Sequence, residues 1–339
     1  MKNLFENIIN AMEAGEDTVL VSIIAGSGSV PRGLGARMLI GKSGRICGTI
    51  GGGAVEYRSE GLAAQVLEEK SSYSKAFTLQ RNEVEDLGMI CGGDVRVYFQ
   101  YIARNNADFL ALSKQCLDAF SVDKNTWLIT EFTDEDNWHM AVYDMDGGDS
   151  LNVGEDSCDL LLTGAISTEI DGRSFYSEPL TTAGRVIIFG GGHVAQEVAP
   201  VLVHLDFHVA VFEDREDFAR PAMFPGAEEI ILGDFHKVDD SVKIKPDDFI
   251  IVVTRGHAYD YDIQRQVLAH ETAYVGVIGS RKKKASVDAR LLAAGIPQER
   301  INDIISPIGI DIKAQTPAEI AISIAGQLIE ARAARMVIQ

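Results

Sequence analysis

The chain has 339 residues, of which 46% are apolar and 24% are charged, and its formal net charge is −19. Domains usually contain about 150 residues, so this length predicts two domains. The composition is typical of folded globular proteins and excludes disorder as a description of the whole chain. The strong negative charge would repel a phosphate backbone, so we expect no nucleic-acid binding.

Four cysteines are present, Cys47, Cys91, Cys116 and Cys158, and no two of them form a CxxC pair. This spacing predicts neither a disulfide framework nor a zinc site, so we expect reduced thiols and no bound metal. The N-terminal segment lacks a signal-peptide pattern, and no 18 consecutive residues are apolar. We therefore expect a cytoplasmic protein that does not enter a membrane.

Helix and strand patterns are mixed in the N-terminal part of the chain. Apolar residues at helical spacing predict helices at residues 3–12, 54–69 and 105–120. Segments rich in β-branched or alternating residues predict strands at residues 18–25, 36–40, 45–50 and 95–99, and hairpins within residues 127–143 and 160–180. These elements predict a mixed α/β domain over residues 1–181.

Two glycine-rich segments interrupt these N-terminal elements. The loop before the second strand holds Arg32, and Arg37 follows it, so two guanidiniums could bind a phosphate through bidentate hydrogen bonds. The alternative is a turn with solvated arginines. The triplet Gly51, Gly52 and Gly53 stands at a strand-to-helix junction and permits close approach of a ligand to the backbone, with Glu56 one turn into the helix.

Cys91 lies in a third glycine-rich turn, between Ile90 and the pair Gly92 and Gly93. Neighbouring amides would lower the pKa of its thiol and make it an accessible thiolate. It is the candidate reactive thiol of the chain. The alternative is an inert cysteine that packs as a small apolar residue.

Strands alternate with helices after residues 181–184, where we place the domain boundary. Short apolar runs predict strands at residues 185–189, 209–212, 248–253 and 274–278, and a helix is predicted at 193–205. A capping motif at Thr316 introduces a last helix that continues to Ile329. This alternation predicts a Rossmann-like parallel sheet over residues 182–339.

The sequence GGGHVA follows the first of these strands and opens a helix. In this GxGxxA element, Gly190 would make the tight turn, Gly192 would admit a ligand to the backbone, and His193 would face the ligand. Glu213 ends the next strand and would bind a ribose, with Asp214 beside it, which favours NAD over NADP. The alternative is a Rossmann fold that binds no dinucleotide.

Two further segments of the second domain carry charged side chains. Ser280 and Arg281 begin a basic run after the last strand, which would either supply positive charge to an anionic ligand or form a solvated helix start. His257 precedes Asp260 and Asp262, but a histidine near carboxylates is more often a hydrogen-bonded loop residue, so we expect no metal there.

The chain resembles the xanthine dehydrogenase accessory proteins, the XdhC and CoxI family, over nearly its whole length. The motifs that carry the resemblance are SVPR with GARM at 29–38, GTIGGG with Glu56 at 48–56, GMICGG at 88–93, FGGGHVA at 189–195, Asp214 with Arg215, GVIGSR with Lys283 at 276–283, SPIGI at 306–310 and TPAEIA at 316–321. Many members carry a cysteine after the glycine triplet, where this chain has Ala54. Cys91 then remains the candidate thiol, and Cys47 lies four residues before the triplet.

The resemblance implies a protein that binds molybdenum cofactor (molybdopterin) and aids its sulfuration and its insertion into a molybdenum hydroxylase. It implies a delivery chaperone more than a turnover enzyme. The implied partners are the hydroxylase and a cysteine desulfurase, and a homodimer is one oligomeric state that stays open. The cofactor contacts would be the arginines, the triplet with Glu56, Cys91 and the residues named in the second domain. Two alternatives remain open, namely an NAD-dependent oxidoreductase and a regulatory nucleotide-binding module.

Overall fold

The computed structural model describes residues 1–28, 34–78, 93–122, 124–134, 139–144, 153, 155–162, 164–181 and 184–338. The chain divides into two compact units, Met1–Thr182 and Ala183–Gln339, which we call the first and the second unit. Within the described ranges, no helix combines the length and the apolar character that a bilayer span requires.

The first unit contains two antiparallel sheets and four described helices. One sheet has the order β3-β2-β1-β5-β4 and the other has the order β7-β6-β9-β8. The strands are β1 (Thr18–Gly28), β2 (Arg37–Gly41), β3 (Gly44–Gly48), β4 (Tyr73–Thr78), β5 (Gly93–Ile102), β6 (Thr126–Glu131), β7 (His139–Asp144), β8 (Ile166–Ile170) and β9 (Arg173–Thr181). The helices are α1 (Lys2–Glu13), α2 (Gly53–Glu69), α3 (Ala107–Ala119) and α4 (Glu155–Leu161).

A shared apolar core holds the two sheets of the first unit together. Helix α1 buries Phe5 and Ile8 on one face, as its helical spacing predicts. These side chains pack in one cluster with Leu20 and Leu39 of the first sheet and with Leu128 of the second. The core therefore fixes the start of α1 against β2, which matters for the cavity described below.

The second unit is built on one parallel sheet. Its strands are β10 (Val186–Phe189), β11 (Val209–Glu213), β12 (Glu229–Leu232), β13 (Phe249–Val252) and β14 (Tyr274–Val277), in the order β12-β11-β10-β13-β14. Its helices are α5 (His193–His204), α6 (Asp260–Val267), α7 (Arg281–Ala293), α8 (Gln298–Asn302) and α9 (Pro317–Ile338). All four strand pairs are parallel.

Apolar cores cover both faces of this parallel sheet. Alternate residues of β10 point to opposite sides, so that Ile187 packs with residues of α6 and α7, while Ile188 packs with residues of α5 and α9. Helices on both faces and this strand order define a Rossmann-like fold, with the order reversing at the β10–β13 junction. The predicted fold class, a Rossmann-like second domain beside a mixed α/β first domain, is confirmed.

The elements differ from the predictions at several places. The predicted strand 45–50 ends at Gly48, whose φ of +77° interrupts the extended backbone. Residues 155–161 form α4, which overlaps the start of the predicted hairpin 160–180. The hairpin itself begins at Ile166. β4 and β12 were not predicted, because both are short and lie at sheet edges. Cys91 and Arg32 lie outside the described residues.

Candidate functional site

A cavity of about 430 Å³ lies in the first unit. The start of α1, the segment leading into β2, the end of β3 and one residue of β9 form its wall. The lining residues are Met1, Asn3, Leu4, Leu34, Gly35, Ala36, Arg37, Cys47, Gly48, Thr49 and Glu178. Pockets of this size hold small molecules and cofactors. Two segments of the chain that are separate in sequence, 34–37 and 47–49, thus meet at one cavity.

Arg37 and Glu178 form a buried ion pair in the cavity wall. Each residue is only 7% exposed, and Nη1 of Arg37 donates a hydrogen bond to Oε1 of Glu178. The hydroxyl of Tyr176 lies 3.3 Å from Oε2 of Glu178. A guanidinium buried without a partner would cost several kcal/mol, so the carboxylate stabilises its charge. Arg37 therefore contributes a neutralised charge to the wall, rather than the exposed phosphate grip that the sequence predicts.

Two glycines allow the backbone to approach closely beside this pair. A Cβ atom on Gly48 would lie 2.4 Å from the carbonyl oxygen of Arg37, and the amide of Thr49 donates to the same oxygen at 2.8 Å. A Cβ on Gly35 would lie 2.3 Å from Oε2 of Glu178. Gly35 and Gly48 both have φ near +80°, which side chains disfavour. These positions therefore require glycine to shape the cavity wall.

Cys47 lines the cavity and is half-buried, whereas Cys116 and Cys158 lie in apolar cores. Burial raises the pKa of the Cys47 thiol, and burial raises that of Cys116 to about 12. Cys47 is thus the accessible thiol among the described cysteines. The sequence pointed to Cys91 first, because glycines flank it, and no sequence pattern places Cys47 beside Arg37.

Glu56 binds the glycine triplet that precedes α2. Its Oε2 accepts hydrogen bonds from the amides of Ile50 and Gly52, each at 3.0 Å, and from the hydroxyl of Thr49. Thr49 in turn accepts the amide of Gly51 at 3.0 Å. Burial alone would raise the pKa of Glu56, but the hydrogen bonds from Thr49, Gly52 and Ile50 outweigh burial and lower it.

The amides of Gly51 and Gly52 are therefore bonded to side chains of the chain itself. Contact of Gly51 and Gly52 with a cofactor stays a prediction. The same holds for Gly53, the first residue of α2. Arg45 also forms an ion pair with Glu56, which adds positive charge at this turn.

The glycine turn of the second unit follows β10 as the GxGxxA element predicts. Gly190 has a φ of +110°, and a Cβ there would lie 2.8 Å from the carbonyl oxygen of Val253. This close approach joins the turn to the end of β13 at the junction where the strand order reverses. A Cβ on Gly192 would meet nothing within 4 Å, and His193 begins α5 with an exposed side chain. The loop is thus open where the sequence predicts ligand approach.

The carboxylate of Glu213 turns back toward the glycine turn. Its Oε2 accepts the amide of Gly191 at 2.6 Å, and its Oε1 accepts the amide and Nε of Arg215 at 3.1 and 2.7 Å. Burial alone would raise the pKa of Glu213, but the bonds from Arg215, Asp214 and Gly191 lower it to about 2. A carboxylate has about four acceptor positions, and these donors use them. Glu213 thus holds the turn in place, and its ribose contact stays a prediction.

A polar cluster not predicted from sequence lies at the ends of β13 and β14. Asp260 is 1% exposed, accepts the hydroxyl of Thr254 at 2.5 Å and lies 3.7 Å from Nζ of Lys283. Burial raises the pKa of Asp260 to about 6, although the Thr254 bond opposes this, and burial lowers the pKa of Lys283. Asp260 and Lys283 each fall in a segment noted above, but their mutual contact requires the fold.

The remaining predicted site residues have structural contacts of their own. Ser280 caps α7, since its hydroxyl accepts the amide of Lys283 at 3.3 Å, and Arg281 is exposed beside it. Asp214 is half-buried next to Glu213, and like-charge contact with Glu213 adds to burial in raising the pKa of Asp214. The described residues contain no cluster of three or more side chains able to bind a metal ion.

The fold and these turns define a two-unit α/β protein with a Rossmann-like second unit. Residues 186–328 match the model described as the XdhC Rossmann domain, and residues 11–77 match that of the XdhC and CoxI family. The two matches fall in different units. The chain belongs to the XdhC and CoxI family, as its motifs indicated.

Known relatives resemble the chain over most of its length. A Bacillus subtilis protein, described as one of the probable subunits of a xanthine dehydrogenase, is 25% identical, with 97% of each chain covered. An uncharacterized Escherichia coli protein, YqeB, is 23% identical over 97% of this chain, which spans only 46% of that relative's length. A crystal structure described as a xanthine dehydrogenase from Bacillus halodurans shares the fold, with a TM-score of 0.74, 23% identity and 97% and 96% coverage.

Proposed function

We propose that this protein is an accessory protein of a xanthine dehydrogenase-type molybdenum hydroxylase, which binds molybdenum cofactor as cargo and aids its sulfuration and insertion. The observation that carries the proposal is the cavity of the first unit, where the motif residues Gly35 to Arg37 and Gly48 to Thr49 meet. Family membership supports the accessory role. The name of the Bacillus subtilis relative refers to xanthine dehydrogenase, which supports a client of that class.

The cavity suits a pterin-type ligand in size and in chemistry. Its volume of about 430 Å³ lies within the range of small-molecule pockets. Asn3 and Thr49 supply hydrogen-bond donors and acceptors, and Cys47 supplies a soft sulfur. Arg37 and Glu178 add a paired cation and anion to the same wall.

Delivery requires partners as well as cargo. The net charge of −19 suits a client or a cysteine desulfurase with a basic docking surface, because opposite charges accelerate encounter. Arg281 and its lysine neighbours, by contrast, form a local basic segment at the start of α7. Binding to the client and binding to the desulfurase are both part of the proposal.

The dinucleotide alternative receives less support from the geometry. Glu213 would bind the ribose of NAD, yet its oxygens accept bonds from Gly191, Asp214 and Arg215. A ribose hydroxyl would have to displace one of these donors. Calorimetric titration with NAD and NADP tests this alternative directly, and steady hydride transfer would establish it in place of delivery.

The test of the proposal is metal and pterin analysis of protein purified from a molybdenum-replete host. We expect molybdenum and pterin in equal amounts, and we expect the loaded protein to activate a cofactor-free hydroxylase. The variant Asn3→Trp adds a large side chain to the cavity wall and should lower the bound amount about tenfold, which is about 1.4 kcal/mol.

Asn10→Trp is the matched control, because Asn10 is exposed on the same helix and does not line the cavity. It should retain the cofactor content of the parent. Wild-type protein without molybdenum and pterin would refute the proposed function. Equal loss in both variants would instead refute the location in this cavity.

A further inference from the structure

Glu178 brings a carboxylate to the wall of the first-unit cavity. It belongs to β9, and the residue is only 7% exposed. Its Oε1 accepts a hydrogen bond from Nη1 of Arg37, which supplies the opposite charge. Because the ion pair carries no net charge, this part of the wall favours a neutral polar group over a free cation or anion.

Glu178 accepts fewer hydrogen bonds than Glu56 and Glu213, which are buried as well. Within the described part of the chain, its two donors are Nη1 of Arg37 and the hydroxyl of Tyr176, and this hydroxyl is 3.3 Å away, which is long for such a bond. Glu56 receives four donors and Glu213 receives five. An ionised carboxylate has about four acceptor positions, so about two positions of Glu178 are open to the donors of a ligand.

Gly35 leaves room beside this carboxylate. It lines the same cavity and has a φ of +80°. A Cβ there would lie 2.3 Å from Oε2 of Glu178 and 2.5 Å from the hydroxyl of Tyr176, so a side chain at this position would displace the carboxylate. Leu34 and Ala36, on either side of Gly35, add apolar lining. The wall thus combines an incompletely bonded carboxylate with apolar side chains, which suits the polar edge and the apolar face of a flat heterocycle.

We propose that Glu178 recognises the pterin ring of the cargo by accepting hydrogen bonds from its amino group and from the ring N–H beside that group. This inference rests on the proposed function, and it names the residue that would select the ring. Two parallel N–H donors on one carboxylate form a directional, bidentate pair. Arg37 is a positioning residue, because its guanidinium stabilises the negative charge and fixes one oxygen of Glu178.

The experiment compares two ring compounds on wild-type protein purified from a host that makes no molybdenum cofactor. Pterin carries both donors, whereas lumazine has an oxo group in place of the amino group. With lumazine, one hydrogen bond is lost and the oxo oxygen faces the carboxylate, which is repulsive. We expect calorimetric titration at neutral pH to give a Kd for pterin at least about tenfold below the Kd for lumazine.

The variant Gly35→Ala tests whether Glu178 is the acceptor. The added Cβ would push the carboxylate aside, so we expect the preference for pterin over lumazine to disappear. Gly15→Ala is the matched control, because Gly15 has a φ of +75° in the same unit and a Cβ there meets nothing within 4 Å. It should keep the wild-type preference. The comparison of the two compounds needs no substitution, so it decides the proposal even if Gly35→Ala fails to fold.

The outcomes separate this inference from the proposed function. Protein from a molybdenum-replete host that holds molybdenum and pterin, while the cofactor-free form binds lumazine as tightly as pterin or binds neither, would overturn the inference and leave the proposed function standing. A folded Gly35→Ala variant that keeps the full preference would do the same. Wild-type protein that never holds molybdenum or pterin would overturn both. A preference that Gly35→Ala loses and Gly15→Ala keeps would support Glu178 as the acceptor.

Discussion

Nη1 of Arg37 and Oε1 of Glu178 form an ion pair between residues that lie 141 positions apart in the sequence. Arg37 begins β2 of the five-stranded sheet, and Glu178 belongs to β9 of the four-stranded sheet. The pair therefore ties the two sheets of the first unit together at the cavity wall.

Loss of either partner of this pair should strongly destabilise the first unit. We expect Arg37→Met to lower the free energy of unfolding by about 3–5 kcal/mol, because Glu178 would keep an uncompensated buried charge. The double variant Arg37→Met with Glu178→Leu should cost less than the sum of the single changes. Urea titration measures these values.

Arg173→Met provides the comparison for the buried pair. Arg173 pairs with Glu131 between β6 and β9, but both side chains are partly exposed, so we expect a loss of only about 1 kcal/mol. Equal losses in Arg37→Met and Arg173→Met would contradict the argument from burial.

Gly48→Ala should lower the free energy of unfolding far more than an alanine substitution at another glycine with the same φ. Gly172, in the β8–β9 turn, also has a φ of +77°, but a Cβ there meets nothing within 4 Å. We expect about 1 kcal/mol for Gly172→Ala and at least about 3 kcal/mol for Gly48→Ala, whose Cβ would press on the carbonyl of Arg37. Similar unfolding free energies for the two variants would argue against the close approach.

Glu213 should make the second unit sensitive to acid. Its pKa lies at about 2 in the folded protein, below the ordinary value of 4.5, so its stabilisation is present above pH 4.5 and is lost as the pH falls toward 2. We expect Glu213→Gln to lose about 3 kcal/mol at pH 7 and to show a weaker pH dependence below pH 4.5. Exposed Glu216→Gln should follow the wild-type curve, and a Glu213→Gln curve parallel to wild type would disprove the assignment.

The ionised carboxylate of Asp260 should destabilise the second unit at neutral pH, the opposite of the effect of Glu213. Burial raises its pKa to about 6 from 3.8, so the contribution of this group to stability is full below pH 3.8 and is lost as the pH rises to 6. We expect Asp260→Asn to be more stable than wild type by about 1–3 kcal/mol at pH 7 and no more stable at pH 4, since the amide can keep the Thr254 bond. Denaturant titrations at both pH values measure this, with exposed Asp303→Asn as control. A gain that is equal at pH 4 and pH 7 would count against it.

The sequence predicted the second unit well because local signals sufficed there. Short apolar runs marked the central strands, and Gly190 with Gly192 marked the turn after β10, where they lie. Element types in the first unit were mostly predicted as well. β12 was missed because Glu229 and the exposed Leu232 break the buried-strand pattern at a sheet edge.

Contacts over long sequence distances were not predictable from the pattern. Glu178 was not predicted from the sequence as a site residue. A signal was present, because Tyr176, Glu178 and Leu180 are spaced two residues apart in a predicted strand and therefore share its buried face. Glu213 was assigned to a ribose because its position in the fold is right, but the position does not show that its oxygens bind Gly191 and Arg215. The motif predicts the backbone position of Glu213. The neighbouring donors, Gly191 and Arg215, determine which groups its carboxylate binds.

The Glu56 carboxylate, bonded to the amides of Ile50 and Gly52, has a consequence for competition in the cell. It is tethered only four residues from Gly52, so its effective concentration at these amides exceeds that of any free anion. Millimolar phosphate therefore gains little by entering the glycine turn. Only a larger ligand, anchored by further contacts, can displace Glu56, and the turn is thereby kept clear of the abundant small anions around it.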